Sequence, residues 1–152
     1  MNMKISAKVI VATFVVTSLA YLSPATGAEV MPVEVTQGKV SYVTGGIGAD
    51  AVTAFKEAAA KYPLELLFAQ KAIPKDVYLA GVKVVVRQSG KVVLDAESGG
   101  PFLLAKLPSG KYQIEATSEG VTRQQVVEIS AGQHQRLVFV WDAPEVAAAV
   151  KK

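Results

Sequence analysis

From Val77 to Trp141 the chain is a succession of short β-prone runs separated by turn chemistry, and no other feature limits its possible folds so sharply. Val82 to Gln88 and Lys91 to Asp95 flank Ser89-Gly90, a two-residue connection of the kind that closes a tight hairpin. Phe102 to Leu107 runs into Pro108-Ser109-Gly110, Lys111 to Thr117 into Ser118-Glu119-Gly120, and Val121 to Ile129 into Ala131-Gly132; His134 to Trp141 closes the series. Strands of this length, broken by glycine and proline at regular spacing, predict a β-sandwich of about seven strands.

Alternation shows which faces are covered. In Val82-Lys83-Val84-Val85-Val86-Arg87 every even position is Val, and Tyr112, Ile114 and Ala116 share one face while Gln113 and Glu115 take the other. Such strands have one wet side. Leu137 to Trp141 is apolar on both faces and needs a second cover.

The segment upstream, residues 29–76, reads as an α/β element. Residues 29–38 form a polar, proline-containing lead-in, Lys39 to Val43 is a short strand, and Gly45-Gly46-Ile47-Gly48 is a turn. Asp50 is placed to cap a helix running to about Lys61, in which Val52, Phe55, Ala59 and Tyr62 make one apolar face. Pro63 stops it, and Leu64 to Ala69 is a compact apolar strand. The helix face is the only large apolar surface left to cover Leu137 to Trp141, so this strand-helix-strand addition is expected to pack on the sandwich. The fold class is therefore mainly β, α+β overall: an α/β element at 29–76, a sandwich at 77–142 and an Ala-rich tail at 143–152 expected to fray.

The first 28 residues pair Lys4 and Lys8 with an apolar run from Val9 to Leu22 and end Thr26-Gly27-Ala28, the layout of a secretory signal peptide cut between Ala28 and Glu29, with Ala25 as a second site. A spanning helix needs ~20 apolar residues. The run is shorter and Ser23-Pro24 breaks it, so no stable membrane insertion is expected after cleavage. No Cys follows for lipid attachment. Removing two lysines from 16 basic residues leaves 14 against 13 acids, a net +1 without a basic stripe, which argues against nucleic acid and against an anionic membrane surface. The remaining chain can bury ~65–70% of its unfolded surface in one core without disulfides, of which it has none.

At residues 100–116, Gly-Pro-Phe-Leu-Leu-Ala-Lys-Leu-Pro-Ser-Gly-Lys-Tyr-Gln-Ile-Glu-Ala, the chain resembles the carboxypeptidase regulatory-like, transthyretin-like β-sandwich. The Leu107-Pro108-Ser109-Gly110-Lys111-Tyr112 corner, the Gly81 to Val84 strand and the Gly90 hairpin carry the resemblance over roughly residues 78–141. It implies a core position for Tyr112. The whole chain also looks like small exported bacterial proteins given that domain name, which implies a periplasmic location.

The residues oppose an enzymatic reading of the family name. A zinc peptidase site needs several His and acidic ligands, and the chain has one histidine, His134. The hydroxyisourate hydrolases, which resemble transthyretin, end in Tyr-Arg-Gly-Ser; this chain ends in Lys151-Lys152. A serine nucleophile lacks its Gly-x-Ser-x-Gly elbow. Collagen-adhesin B-type sandwiches, also similar, build an isopeptide cross-link with a buried acid where this chain has Ala116, while Glu115 and Lys83 belong to the outer faces. No cofactor or metal is expected.

Two places remain for recognition. The loop Tyr42-Val43-Thr44-Gly45-Gly46-Ile47-Gly48 lies between a strand and a helix N-terminus, where freed backbone amides can hold an anion, with Tyr42 and Thr44 as side-chain contributors beside Gly45, Gly46 and Gly48. The edge around Val121 to Glu128, carrying Arg123, Gln124 and Gln125, can accept an extended peptide or guard against aggregation. The composition fits a noncatalytic module recognising an envelope protein or extended peptide; a small hydrolase or accessory subunit using His134, and a self-associating structural protein, are the alternatives.

Overall fold

Alternating and continuous apolar runs become strands in the computed structural model, which describes residues 31–143; the expected signal peptide, its Ala28-Glu29 junction and all of the expected tail beyond Ala143 lie outside the described residues. The elements are β1 Val35–Gln37, β2 Val40–Gly45, helix α1 Ala49–Ala59, β3 Leu64–Gln70, β4 Val77–Tyr78, β5 Lys83–Gln88, β6 Lys91–Glu97, β7 Phe102–Lys106, β8 Gly110–Ser118, β9 Val121–Ile129 and β10 Gln135–Trp141. They form a mainly β sandwich of two sheets. One has the order β1-β2-β7-β3-β10, with β4 beside the end of β3; the other has the order β6-β5-β8-β9.

The α/β segment joins the sandwich by supplying β2 and β3 to the first sheet, where β7 pairs antiparallel with both and β10 pairs parallel with β3. This insertion, together with β1 and β4, raises the strand count to ten. β1 lies within the expected polar lead-in: Val35 pairs with Tyr42 and Gln37 with Val40 across a two-residue Gly38-Lys39 turn, and its short exposed face left no apolar alternation to read.

Inner faces of both sheets meet in the main core, where Leu64, Leu66 and Phe68 of β3 and Phe139 and Trp141 of β10 pack with Val84 and Val86 of β5, Leu94 of β6, and Tyr112, Ile114 and Ala116 of β8. The outward Val43, Leu67, Phe102 and Leu104 form a second cluster with Phe55 and Ala59 of α1. β3 is thus buried on both faces, which is why it reads as an almost unbroken apolar run.

α1 does pack on the sandwich, but over β2, β7 and β3 rather than β10; Val138 of β10 stays 41% exposed. The connections on either side of α1 are only a few residues long, so the helix stays above the strands it joins, and β10 is at the sheet margin beyond β3. Asp50 does not cap α1. The N-cap residue is Gly48, without a side-chain cap bond, and Asp50 sits inside the first turn. The last helical residue is Ala59, followed by tightened turns in which Lys61 N donates to Ala58 O and Tyr62 N to Ala59 O.

Candidate functional site

The glycine loop is packed from within. Tyr42 points between the sheets and is 9% exposed. Thr44 Oγ1 donates to the Phe102 carbonyl at 2.7 Å and accepts from Gly99 N at 3.1 Å. A Cβ on Gly45 would press the Phe55 ring at 3.0 Å, and one on Gly46 would meet Phe102 at 2.5 Å, so these glycines let the strand end approach the stacked Phe55-Phe102 pair. Gly48, by contrast, has open space where a Cβ would stand. Tyr42, Thr44, Gly45, Gly46 and Gly48 therefore share one segment without converging on a common opening: the hydroxyl of Thr44 is spent internally, Tyr42 belongs to the core, and Ile47, between Gly46 and Gly48, is exposed.

His134 is held from both sides. Its Nδ1 donates to the Tyr62 carbonyl at 2.7 Å, since a carbonyl oxygen only accepts, and its Nε2 lies 3.0 Å from Glu65 Oε2. Glu65 is 5% exposed and also meets Arg136 Nε at 3.4 Å. Neither ring nitrogen is left to take a proton from a serine, so the imidazole acts here as a strut joining the start of β3 to the approach to β10. His134→Ala is expected to destabilise the fold by about 1–2 kcal/mol, because Glu65 loses one of two partners in a buried setting; urea unfolding of the two proteins side by side measures it.

A third polar cluster fixes the chain before β1. Glu34 accepts from Lys106 Nζ at 2.9 Å and from the Tyr62 hydroxyl at 2.8 Å, and Lys106 Nζ also lies 4.9 Å above the Tyr62 ring. The hydrogen bond from Lys106, then those from Ser41 and Tyr62, pull the Glu34 carboxyl down to about 2. Burial first, and then the Glu34 bond, push the Tyr62 phenol up to about 12. A carboxyl whose folded value lies below its unfolded one adds stability that is whole above about pH 4.5 and drains away as the pH falls toward about 2. Glu34 is exposed, so solvent screening keeps the effect to about 0.5–1 kcal/mol. Across that window Glu34→Gln is expected to flatten the acid limb of a stability-against-pH curve by that amount and to leave the neutral limb offset but parallel.

The margins of the two sheets meet along one side. β9 ends the second sheet, as its sequence indicated, and β10 ends the first. Side chains span the gap: Gln125 Nε2 donates to Val138 O and Trp141 Nε1 to Val121 O, each at 2.8 Å. Asp142 closes one end with Lys71 at 2.9 Å and Arg123 at 3.2 Å, and the Lys71 hydrogen bond leads in holding its carboxyl below the usual range. The resulting groove of about 400 Å³ is bordered by Gln124 and Gln125 on one wall and Val138 and Val140 on the other. Sequence placed Arg123, Gln124 and Gln125 on an edge; that β10 faces them could not be read from strand order. No group of three or more His, Cys, Asp or Glu able to hold a metal ion occurs among the described residues. No helix among them is long and apolar enough to cross a membrane. On the outer faces Lys83 is exposed, and Glu115 is engaged by Gln124 at 2.8 Å and Arg87 at 3.7 Å. No protein-family model matches the chain, and no curated protein is significantly similar to it.

Proposed function

We propose that the protein is an exported, periplasmic, noncatalytic recognition module of the carboxypeptidase regulatory-like type, and that it takes an extended segment of an envelope protein along the seam between β9 and β10. The observation that carries this reading is the way the seam is filled. The backbone carbonyl of Val138 is met by the side chain of Gln125 instead of by a neighbouring strand, and the indole of Trp141 reaches across to the Val121 carbonyl at the start of β9. Side-chain partners of this kind can swing away and give the carbonyl to an incoming peptide amide, the exchange on which strand addition depends. Val138, 41% exposed, and the partly buried Val140 line the groove, so apolar residues of an added strand have surface to cover.

The family assignment draws on the corner at Leu107 to Tyr112. Tyr112 is 1% exposed and its hydroxyl donates to the Pro108 carbonyl four residues upstream at 2.7 Å, an arrangement that pins the entry into a sandwich strand. The noncatalytic part of the reading draws on His134, whose ring nitrogens are both occupied.

Photo-crosslinking from within the living host tests the proposal. A photoreactive residue at Gln124 or Val138, both on the groove, is expected to yield an adduct with a second envelope protein, and the same residue at Lys83, exposed on β5 away from the groove, is not. An adduct of twice the chain's mass moves the assignment to a self-associating structural protein; adducts that do not depend on position, or none, overturn the seam.

A further inference from the structure

A second opening lies away from the seam, where the β1-β2 turn approaches the β5-β6 hairpin. It is a cleft of about 400 Å³ floored by core residues Val40, Leu94 and Tyr112, with Val92 and Val93 along one wall. The wall is built by an irregularity. Val86 pairs with Leu94 and Arg87 with Val92, so Val93 is an extra residue opposite no partner in β5. Regular alternation would send the middle residue of Val92-Val93-Leu94 to the other face; the bulge lets all three border the same cleft. Bulges that re-aim side chains in this way recur next to binding sites.

The far wall is tied down. Gln37 Nε2 donates to Asp95 O at 2.8 Å and Gln37 Oε1 accepts from Asp95 N at 3.0 Å, so the β1 side chain docks on the free edge of β6 as a strand residue would. One Nε2 proton of Gln37 remains for a ligand. The Tyr112 hydroxyl is committed to Pro108 O, which makes its ring a floor and not a donor. At the rim stand Lys39 and Gln88; no acidic side chain borders the cleft, and Lys39 has no ion-pair partner among the described residues.

We infer that this cleft binds a small aliphatic monocarboxylate, its chain lying along Val92, Val93 and Leu94 over the Tyr112 ring and its carboxylate at the mouth against Lys39 and the Gln37 amide. An apolar interior with few convergent polar groups is the usual make-up of a small-molecule site, and its size lies within the usual range. A single unpaired cation over aliphatic walls selects an anion with an apolar tail and disfavours an amine of the same length. The site is independent of the β9-β10 seam, which is at the opposite margin of the second sheet.

Amide NMR titration with octanoate, octanol and octylammonium tests the inference. Octanoate is expected to give saturable shifts at Lys39, Val40, Val92, Val93 and Leu94 below on the order of 1 mM, with octylammonium weaker by about tenfold or more. Lys39→Glu, at an exposed position that leaves the fold intact, is expected to weaken octanoate by about tenfold while leaving octanol unchanged, because only the carboxylate feels the reversed charge. Val93→Lys, which gives the wall a second cation in place of an apolar surface, is expected to abolish octanol binding first. Shifts scattered over the surface, equal binding of the three probes, or octanoate binding indifferent to Lys39→Glu would each overturn the site, as would the absence of saturable binding.

Discussion

Gly100→Ala is expected to lower the unfolding free energy by about 3 kcal/mol, at the upper end of overpacking effects. Gly100 is buried, and a Cβ there would land on the carbonyl carbon and oxygen of Gly45. The obstacle is backbone, so no rotamer change relieves it. Nor can either segment retreat easily: Thr44 bridges them through Phe102 O and Gly99 N, and one residue beyond Gly45 the chain at Gly46 already rests on the Phe102 ring. Gly99→Ala is the control, because the nearest atom to its Cβ would be Thr44 O at an ordinary 3.7 Å. Urea unfolding of both variants separates the ideas. Equal stabilities would mean that this close approach is not what demands glycine at position 100.

That prediction also shows what sequence could and could not say about the loop. Gly45-Gly46-Ile47-Gly48 was legible as a turn before a helix, and the turn is there. The function proposed for it came from local chemistry, glycine amides near a helix N-terminus, and local chemistry does not contain Phe102 of β7 or Gly100 in the bend before it, more than fifty residues away. The Ser89-Gly90 hairpin succeeded for the opposite reason: both residues take positive φ, +50° and +78°, and everything that determines this lies within four residues. Cover for β10 failed for want of topology. The helix face does find an apolar surface to cover, but it is that of β2, β7 and β3, and the second face of Leu137 to Trp141 stays partly open with Val138 exposed; the difference required knowing that β3, not β10, lies under α1.

Two further features left traces that alternation could have exposed. Val92-Val93-Leu94 is three apolar residues in succession in a strand that otherwise alternates from Leu94 to Glu97, the trace of an inserted residue at an edge. Glu65 interrupts an apolar run and is buried, so a partner was required; the lone His134 and Arg136 are the partners, and they reach it only because β10 lies parallel to β3 with Arg136 opposite Glu65. Both openings considered as binding sites arise at sheet margins, where pairing stops and side chains stand in for strands: Gln37 on Asp95 at one margin, Gln125 on Val138 at the other. The same substitution of side chain for strand gives one margin a wall and the other a replaceable bond.

Phe55→Ala is expected to be the most damaging single truncation in α1, at about 3–5 kcal/mol. The ring is fully buried and stacks on Phe102 with centroids 5.8 Å apart, and the only other buried residue of the helix is Ala59, which has little side chain to contribute. At 11 residues α1 is below the ~12–15 that an isolated helix needs, and it lacks a side-chain N-cap, so its helicity depends on this contact. The loss should therefore appear unevenly. Far-UV ellipticity at the helix band is expected to melt at lower urea than the fluorescence of Trp141, the sole tryptophan, which is anchored in the other core between the sheets. Val52→Ala, a partly buried position on the same face, should shift both signals slightly and together. If Phe55→Ala moves both transitions in step, then helix and sandwich unfold as one unit, and α1 is structurally required by the sheet it covers. If the helix signal goes first, the outer face of β2, β7 and β3 holds its pairing without a cover, and the strands alone specify the fold.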